Sequence, residues 1–218
     1  ADRVIVGAFD DAEAAEELAL HSAVVTYEIE KIAPAALTAA GAHTPLRPSP
    51  AVLAVVQDRA EQKRWLEENG FPVAPWRAAW NADDVAEAAR SLGRCRLKSR
   101  HGGYDGRGQA RLEPTDEPIA LGVAAEQAWQ EMGAVPCVVE RELDLSAEFS
   151  MMAARRPSGQ IALFPPARNW HVGGILDLSV IPGDLPDRAI AAASSQTRRM
   201  AEAQARELKV LEMRTPGG

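Results

Sequence analysis

The stretch from Lys98 to Gln109, KSRHGGYDGRGQ, constrains this chain more than any other part of it. Four of the chain's 16 glycines fall between Gly102 and Gly108. The residues just before it, Cys95-Arg-Leu-Lys98, read as a short strand that ends in a lysine, and residues 109–113 read as the returning strand. Glycine tolerates positive φ and lets the backbone approach a ligand closely, so such a loop can turn its N–H groups onto phosphate oxygens. A lysine at the strand end adds a mobile point charge for the same anion. The plain alternative is a glycine-rich hairpin turn, but a turn has no need of Tyr104, Asp105 and Arg107. The loop follows neither G-x-x-x-x-G-K-[ST] nor G-x-G-x-x-G with a helix behind it, which excludes the two commonest nucleotide loops.

A length of 218 residues suffices for one large domain or two small ones with a sizeable core. With 24 Lys+Arg against 31 Asp+Glu the net charge is −7, which argues against non-specific binding to nucleic acid or to a membrane surface. No apolar run approaches a membrane span and no signal peptide opens the chain, so the cytoplasm is the default compartment. Cys95 and Cys137 sit singly in apolar, strand-like segments without metal-ligand spacing, which reads as two buried reduced thiols. The five tryptophans are scattered, as packing residues are, and form no stacking platform.

In chain order, residues 3–7 form a short β-branched run that predicts a strand. Asp10 and Asp11 then offer an N-cap to a helix over Ala12–Leu20. Residues 24–30 return to strand character and 34–40 to helix, so the beginning reads as part of a parallel α/β domain. The pattern opens as if about two βα units were absent. Glu28 and Glu30 would share one face of their strand, as a solvated strand end or as ligand contacts. Residues 46–50, LRPSP, form a stiff extended linker, followed by a helix over 51–56 and a second from Asp58-Arg59 to the stop at Gly70. Arg59 at a helix start is electrostatically unfavourable, because cations favour the other end.

A helix over 83–92 leads into the Lys98 strand. Beyond the loop, 119–132 reads as a helix and 135–142 as a buried strand ending in charge; residues 145–154 alternate. Pro157-Ser-Gly159 makes a hairpin turn before strand 160–164. His171 lies in NWHVGG, before a strand over 175–180; a lone histidine of this kind is usually structural. Residues 187–207 form a long helix, followed by LKVLEMRTPGG (208–218).

GGYDGRGQ behind a strand lysine resembles the glycine-rich loop of the 5-(carboxyamino)imidazole ribonucleotide synthases, ATP-grasp ligases of purine biosynthesis. The phrases VVTYEIE (24–30), RPSP (47–50), QDR (57–59) and NWHVGGIL (169–176) resemble the same family in the same order, so the likeness runs over nearly the whole chain. The fold it implies is α/β, an α+β ATP-grasp: a partial parallel α/β domain (1–47), a helical linker region (48–80), a small ATP-grasp subdomain with the glycine loop (81–143) and a large one (144–218).

The resemblance also implies ATP- and bicarbonate-dependent carboxylation of the amine of 5-aminoimidazole ribonucleotide, with ATP and Mg²⁺ as cofactors. It assigns ATP to Arg59, Lys98, the loop residues Gly103, Tyr104, Asp105, Gly106, Arg107, Gly108 and Gln109, the adenine-edge residues Glu140, Arg141, Glu142 and Leu143, and Glu148 and His171 at the ribose. The acceptor ribonucleotide would meet Tyr104, Asp105, Arg107 and either Glu28 or Glu30. Lys98 and Arg107 are the candidate catalytic residues, and the stretch from Leu208 resembles a compressed version of the family's strand bearing V-E-M-F, which makes Glu212 the candidate metal ligand. Arg168 departs from the family, in which an acidic residue precedes that asparagine. The Asn-Glu-Ile-Ala-Pro-Arg motif and the basic end region are absent from these 218 residues, which predicts little carboxylating activity for the chain as it stands. Two other readings are a sister ATP-grasp ligase and a non-catalytic remnant that still binds nucleotide. The resemblance allows a homodimer.

Overall fold

The computed structural model describes residues 3–102, 108–173 and 175–214, with side chains through residue 204. The chain divides into two units, Ala1–Gln62 and Lys63–Gly218.

In the first unit Asp11 caps α1 (Ala12–Leu20), its carboxylate accepting the Ala14 N–H at 2.9 Å. β1 (Val25–Thr26) and β2 (Leu46–Arg47) pair in parallel, with α2 (Pro34–Gly41) between them in sequence. α3 (Pro50–Gln57) starts at the Ser49 cap. Ala19, Leu37, Ala40, Leu46 and Leu53 form the core, with Val25, Tyr27 and Ile32 packed against it. Two expectations are corrected here. Residues 3–7 form no strand: Val4 and Val6 are exposed and the β1–β2 ladder does not extend to them, so β-branching alone does not make one. The strand expected over 24–30 keeps only Val25–Thr26, the two residues that β2 can pair, so Glu28 and Glu30 stand exposed in the loop beyond it.

Asp58 opens α4 (Arg59–Glu68), accepting the Ala60 N–H at 2.9 Å. The second unit then lays down β3 (Trp76–Ala79), α5 (Ala82–Leu92), β4 (Cys95–Ser99), β5 (Gln109–Leu112), α6 (Pro118–Glu131) and β6 (Cys137–Arg141). The four strands form an antiparallel sheet in the order β3-β6-β4-β5. α5 begins at the Asn81 cap and stops at Gly93, whose φ of 78° a residue with a side chain would resist. Strand alternation sends Cys95, Leu97, Cys137 and Val139 to one face, where Val85, Ala89, Leu121 and Ala125 of α5 and α6 bury them. Each such fully buried Leu or Val contributes roughly 1.5–3 kcal/mol. The same alternation puts Arg96, Lys98 and Glu140 on the other face.

β7 (Glu148–Ser150), β8 (Ala153–Arg155), β9 (Ile161–Leu163), β10 (Ala167–Val172) and β11 (Ile175–Val180) follow. β11-β10-β7 is a three-stranded antiparallel sheet, and β8-β9 is a separate hairpin. The alternating run 145–154 therefore serves two sheets rather than one strand. α7 (Asp187–Arg214) packs on β8 and β9. It overturns the strand that the resemblance implies around Glu212: Glu, Leu, Lys and Met are good helix formers, and no glycine or proline interrupts the chain from Glu207 to Arg214. Glu212 thus falls on a helix, and its side chain lies outside the described residues.

Candidate functional site

β4 sets the geometry. Lys98 is opposite Gln109 in β5 and Val138 in β6, so its side chain leaves the sheet on the face that α5 and α6 do not cover. The Ser99 N–H bonds to the Gly108 carbonyl at 3.0 Å, which closes the neck of the glycine loop directly after Lys98. Gly102 and Gly108 flank the loop with φ of 69° and 67°, positions where glycine is needed. Gly103, Tyr104, Asp105, Gly106 and Arg107 lie outside the described residues.

Lys98 Nζ donates to Glu140 Oε2 at 2.9 Å, and Lys63 Nζ from α4 lies 3.0 Å from Glu140 Oε1. The Glu140 side chain is mostly buried. Burial alone would push its carboxyl up, but the charges and hydrogen bonds of Lys98 and Lys63 outweigh that and hold it below the usual carboxylate range. Glu140 is therefore an ionised carboxylate gripped by two ammonium groups.

Two residues on, Glu142 collects three arginines. Arg96 donates Nε and Nη2 to Oε1 at 3.0 and 2.9 Å, while Arg111 Nε and Arg94 Nε reach Oε2 at 2.8 and 3.1 Å. Burial works against its charge, and hydrogen bonds from Arg96 and Arg111 more than compensate, so this carboxyl too is held low. Arg141, between them, points to the opposite face, its Nε donating to the Leu92 carbonyl at the end of α5 (2.9 Å). The Arg141 and Glu142 N–H groups are taken by the Pro75 and Arg94 carbonyls, each at 2.8 Å. Leu143 is exposed just past the strand.

In the three-stranded sheet, Glu148 of β7 is opposite Asn169 of β10, and His171 follows two residues later on the same face. His171 Nδ1 and Glu148 Oε2 are 3.3 Å apart. Asn169 is fixed between Ser150 and Ser179, donating Nδ2 to one hydroxyl at 3.3 Å and accepting the other at 2.8 Å. Arg168 turns to the other face, its guanidinium 5.1 Å from the Trp170 ring centre. The second unit thus contains Lys98, Glu140, Arg141, Glu142, Leu143, Glu148 and His171, and the first contains Glu28, Glu30 and Arg59, the residue that opens α4.

Sequence reasoning missed Lys63, Arg94, Arg96 and Arg111. A signal existed for two of them: Arg96 precedes Lys98 by two residues and Arg111 follows Gln109 by two, which on a strand means the same face. In the first unit an open apolar cavity of about 200 Å³ is lined by Phe9, Leu18, Tyr27, Ile32 and Leu37. Its acid, Asp11, is already spent on capping α1.

Comparison with known proteins follows the same division. The family model described as ATP-grasp domain matches residues 64–211, and that described as ribonucleotide synthetase preATP-grasp domain matches residues 1–57. The chain belongs to the ATP-grasp family. Among its relatives is the N5-carboxyaminoimidazole ribonucleotide synthase of Brucella melitensis, 38% identical over 204 residues, or 93% of this chain and 55% of that protein. A crystal structure of an N5-carboxyaminoimidazole ribonucleotide synthetase in complex with ADP superposes with a TM-score of 0.80 at 32% identity, covering 94% of this chain and 52% of that one. The synthetase from Thermus thermophilus gives 0.78 at 29%, over 92% and 53%. The chain therefore spans about half the length of the relatives it matches.

Proposed function

We propose that this chain binds ATP and 5-aminoimidazole ribonucleotide and serves the ATP- and bicarbonate-dependent carboxylation of that amine. The observation that carries the reading is Lys98, set at the end of β4 directly before GYDGRGQ and held at 2.9 Å by the ionised Glu140. The likeness to N5-carboxyaminoimidazole ribonucleotide synthases supports the choice of substrate.

ATP supplies the phosphoryl group that activates bicarbonate. Transfer of this kind needs position and charge neutralisation more than a protein nucleophile. Lys98 exchanges Glu140 for a phosphate oxygen, one charge-assisted hydrogen bond for another. Arg59 and the amides of Gly103, Gly106, Gly108 and Gln109 take further phosphate oxygens. With the Arg141 and Glu142 amides already engaged, the Leu143 N–H is the group left to meet the adenine edge. Glu148 accepts the ribose hydroxyls while His171 fixes its carboxylate. Tyr104, Asp105 and Arg107, with Glu28 or Glu30, face the acceptor, and Arg107 with Lys98 neutralises the charge that develops.

Magnesium is the ion expected with ATP, and Glu212 is the proposed ligand. Among the described residues no group of three His, Cys, Asp or Glu side chains could hold a metal ion, so they do not by themselves fit one. Among those residues also, no helix is long and apolar enough to cross a membrane. A cytoplasmic setting, a homodimer and the absence of nucleic-acid partners belong to the same proposal; the net charge of −7 supports the last.

The test is calorimetric titration with ATP and with aminoimidazole ribonucleotide, followed by a phosphate-release assay in which bicarbonate and the amine are each left out. Both ligands should bind, and such release as this chain supports, expected to be small, should require both reactants. Release that instead needs a formyl or amino-acid substrate would move the chain to a sister ligase.

A further inference from the structure

Lys63 has no place in the chemistry above, yet it holds one of the two oxygens of Glu140. Its ammonium is 3.0 Å from Oε1, while Lys98 is 2.9 Å from Oε2. The two lysines differ in exposure: 12% of the Lys63 side chain is accessible against 31% of Lys98. Lys98 borders the neck of the glycine loop, and Lys63 comes from α4 as the less accessible of the two. A phosphate arriving from solvent meets Lys98.

We infer that Lys63 is a positioning residue for Lys98, acting through Glu140: by occupying Oε1 it leaves Lys98 held by Oε2 alone, and so releasable to a phosphate oxygen. The inference deepens the ATP site proposed above and rests on it. A carboxylate has two oxygens and about four lone-pair directions, enough to engage one ammonium with both oxygens when no second cation is present. Inside a protein that attraction is several times stronger than in water. With Lys63 in place the cluster of two ammonium groups and one carboxylate carries a surplus positive charge, and its more accessible member is Lys98. Without Lys63 the cluster is neutral, and the departure of Lys98 would strand a mostly buried carboxylate without a partner. Releasing Lys98 then costs more, and ATP binds less tightly although Lys63 touches no part of it.

The experiment is calorimetric titration of ATP into the wild-type chain and into Lys63→Met, Lys63→Arg, Glu140→Gln and the double variant Lys63→Met/Glu140→Gln. Lys63→Met should weaken ATP by about 5- to 20-fold, and Lys63→Arg, which restores the cation, by less than about 3-fold. In the Glu140→Gln background there is no carboxylate to hold Lys98, so Lys63→Met should change affinity by less than about 2-fold. An equal loss in both backgrounds would mean that Lys63 acts on the nucleotide directly, and full affinity in Lys63→Met would mean that it does not act at all; either overturns the inference. Thermal melts check that each protein is folded, and Lys63→Gln replaces the methionine variant should that one not fold. A wild-type chain that takes up no ATP would overturn the nucleotide site itself, a result seen before any variant is titrated.

Discussion

Replacing Lys98 by alanine tests the nucleotide site most directly. A charge-assisted hydrogen bond to a phosphate contributes about 1.5–3 kcal/mol. Lys98 does not come to ATP free, however. It must first give up Glu140 Oε2 at 2.9 Å, and with nearly a third of its side chain exposed that pair is screened by solvent. A screened pair of this kind is worth about 0.5–1 kcal/mol. The net loss in Lys98→Ala is then about 1–2 kcal/mol, or roughly 5- to 30-fold in the dissociation constant. Glu140 keeps Lys63, so the variant should fold, and an unchanged far-ultraviolet dichroism spectrum would show it. Titration calorimetry with ATP reads the affinity. Equal affinity in the folded variant would remove Lys98 from the site. A loss beyond about 150-fold would also refute the reasoning, because it would exceed the whole of the roughly 1.5–3 kcal/mol that the phosphate bond contributes even with nothing given up on leaving Glu140.

Three further outcomes follow from the fold around it. Leu97→Ala, at a fully buried position in β4, should destabilise the protein by about 2–5 kcal/mol in urea unfolding, and a change under about 1 kcal/mol would show that the sheet core is not packed as described. Burial pushes the Cys95 thiol up to about 11 and that of Cys137 up to about 12, so at about pH 8 the folded protein should resist iodoacetamide while the urea-unfolded chain takes up two equivalents. Glu140 binds its proton more weakly folded than unfolded, so its stabilisation is present above the unfolded value of about 4.3 and is lost as pH falls through the lower folded value. Unfolding free energy should therefore drop less steeply between about pH 5 and 3 in Glu140→Gln than in the wild type, and parallel curves would deny that the carboxylate is held low.

The elements carrying Lys98, Glu140, Glu148 and His171 were legible because each rests on a local pattern. Alternation of Cys95, Leu97 and Ser99 with Arg96 and Lys98 announces a strand with one covered face, and Pro157-Ser-Gly159 announces the hairpin between β8 and β9. Where pairing decides, local pattern was insufficient. Residues 3–7 have the composition of a strand, yet composition cannot supply a neighbour, and the segment stays exposed. Residues 24–30 end as a strand where β2 ends, at Arg47, a length set by the partner. At residues 208–213 the apolar run fits either period, and continuity with α7 settles it as helix.

The site divides in the same way. Strand parity alone could put Arg96 and Lys98 on one face, and Gln109 and Arg111 on theirs. It could not say that β6 would lie beside β4 with Glu140 opposite Arg96, so that Lys98 finds Glu140 diagonally across the strands. Nor could it find Lys63, which comes from a helix in another part of the chain and meets Glu140 only once the sheet has formed. Glu140 and Glu142 look alike in the sequence, as two acids at the end of one strand. Their partners make them different: a carboxylate held by two lysines, one more accessible than the other, can on the proposed reading trade that one for a phosphate. A carboxylate held by three arginines, with hydrogen bonds on both oxygens, has every reason to stay where it is. In the proposed nucleotide site the exchangeable part of this face is therefore the end nearest the glycine loop, and the Glu142 end is its fixed frame.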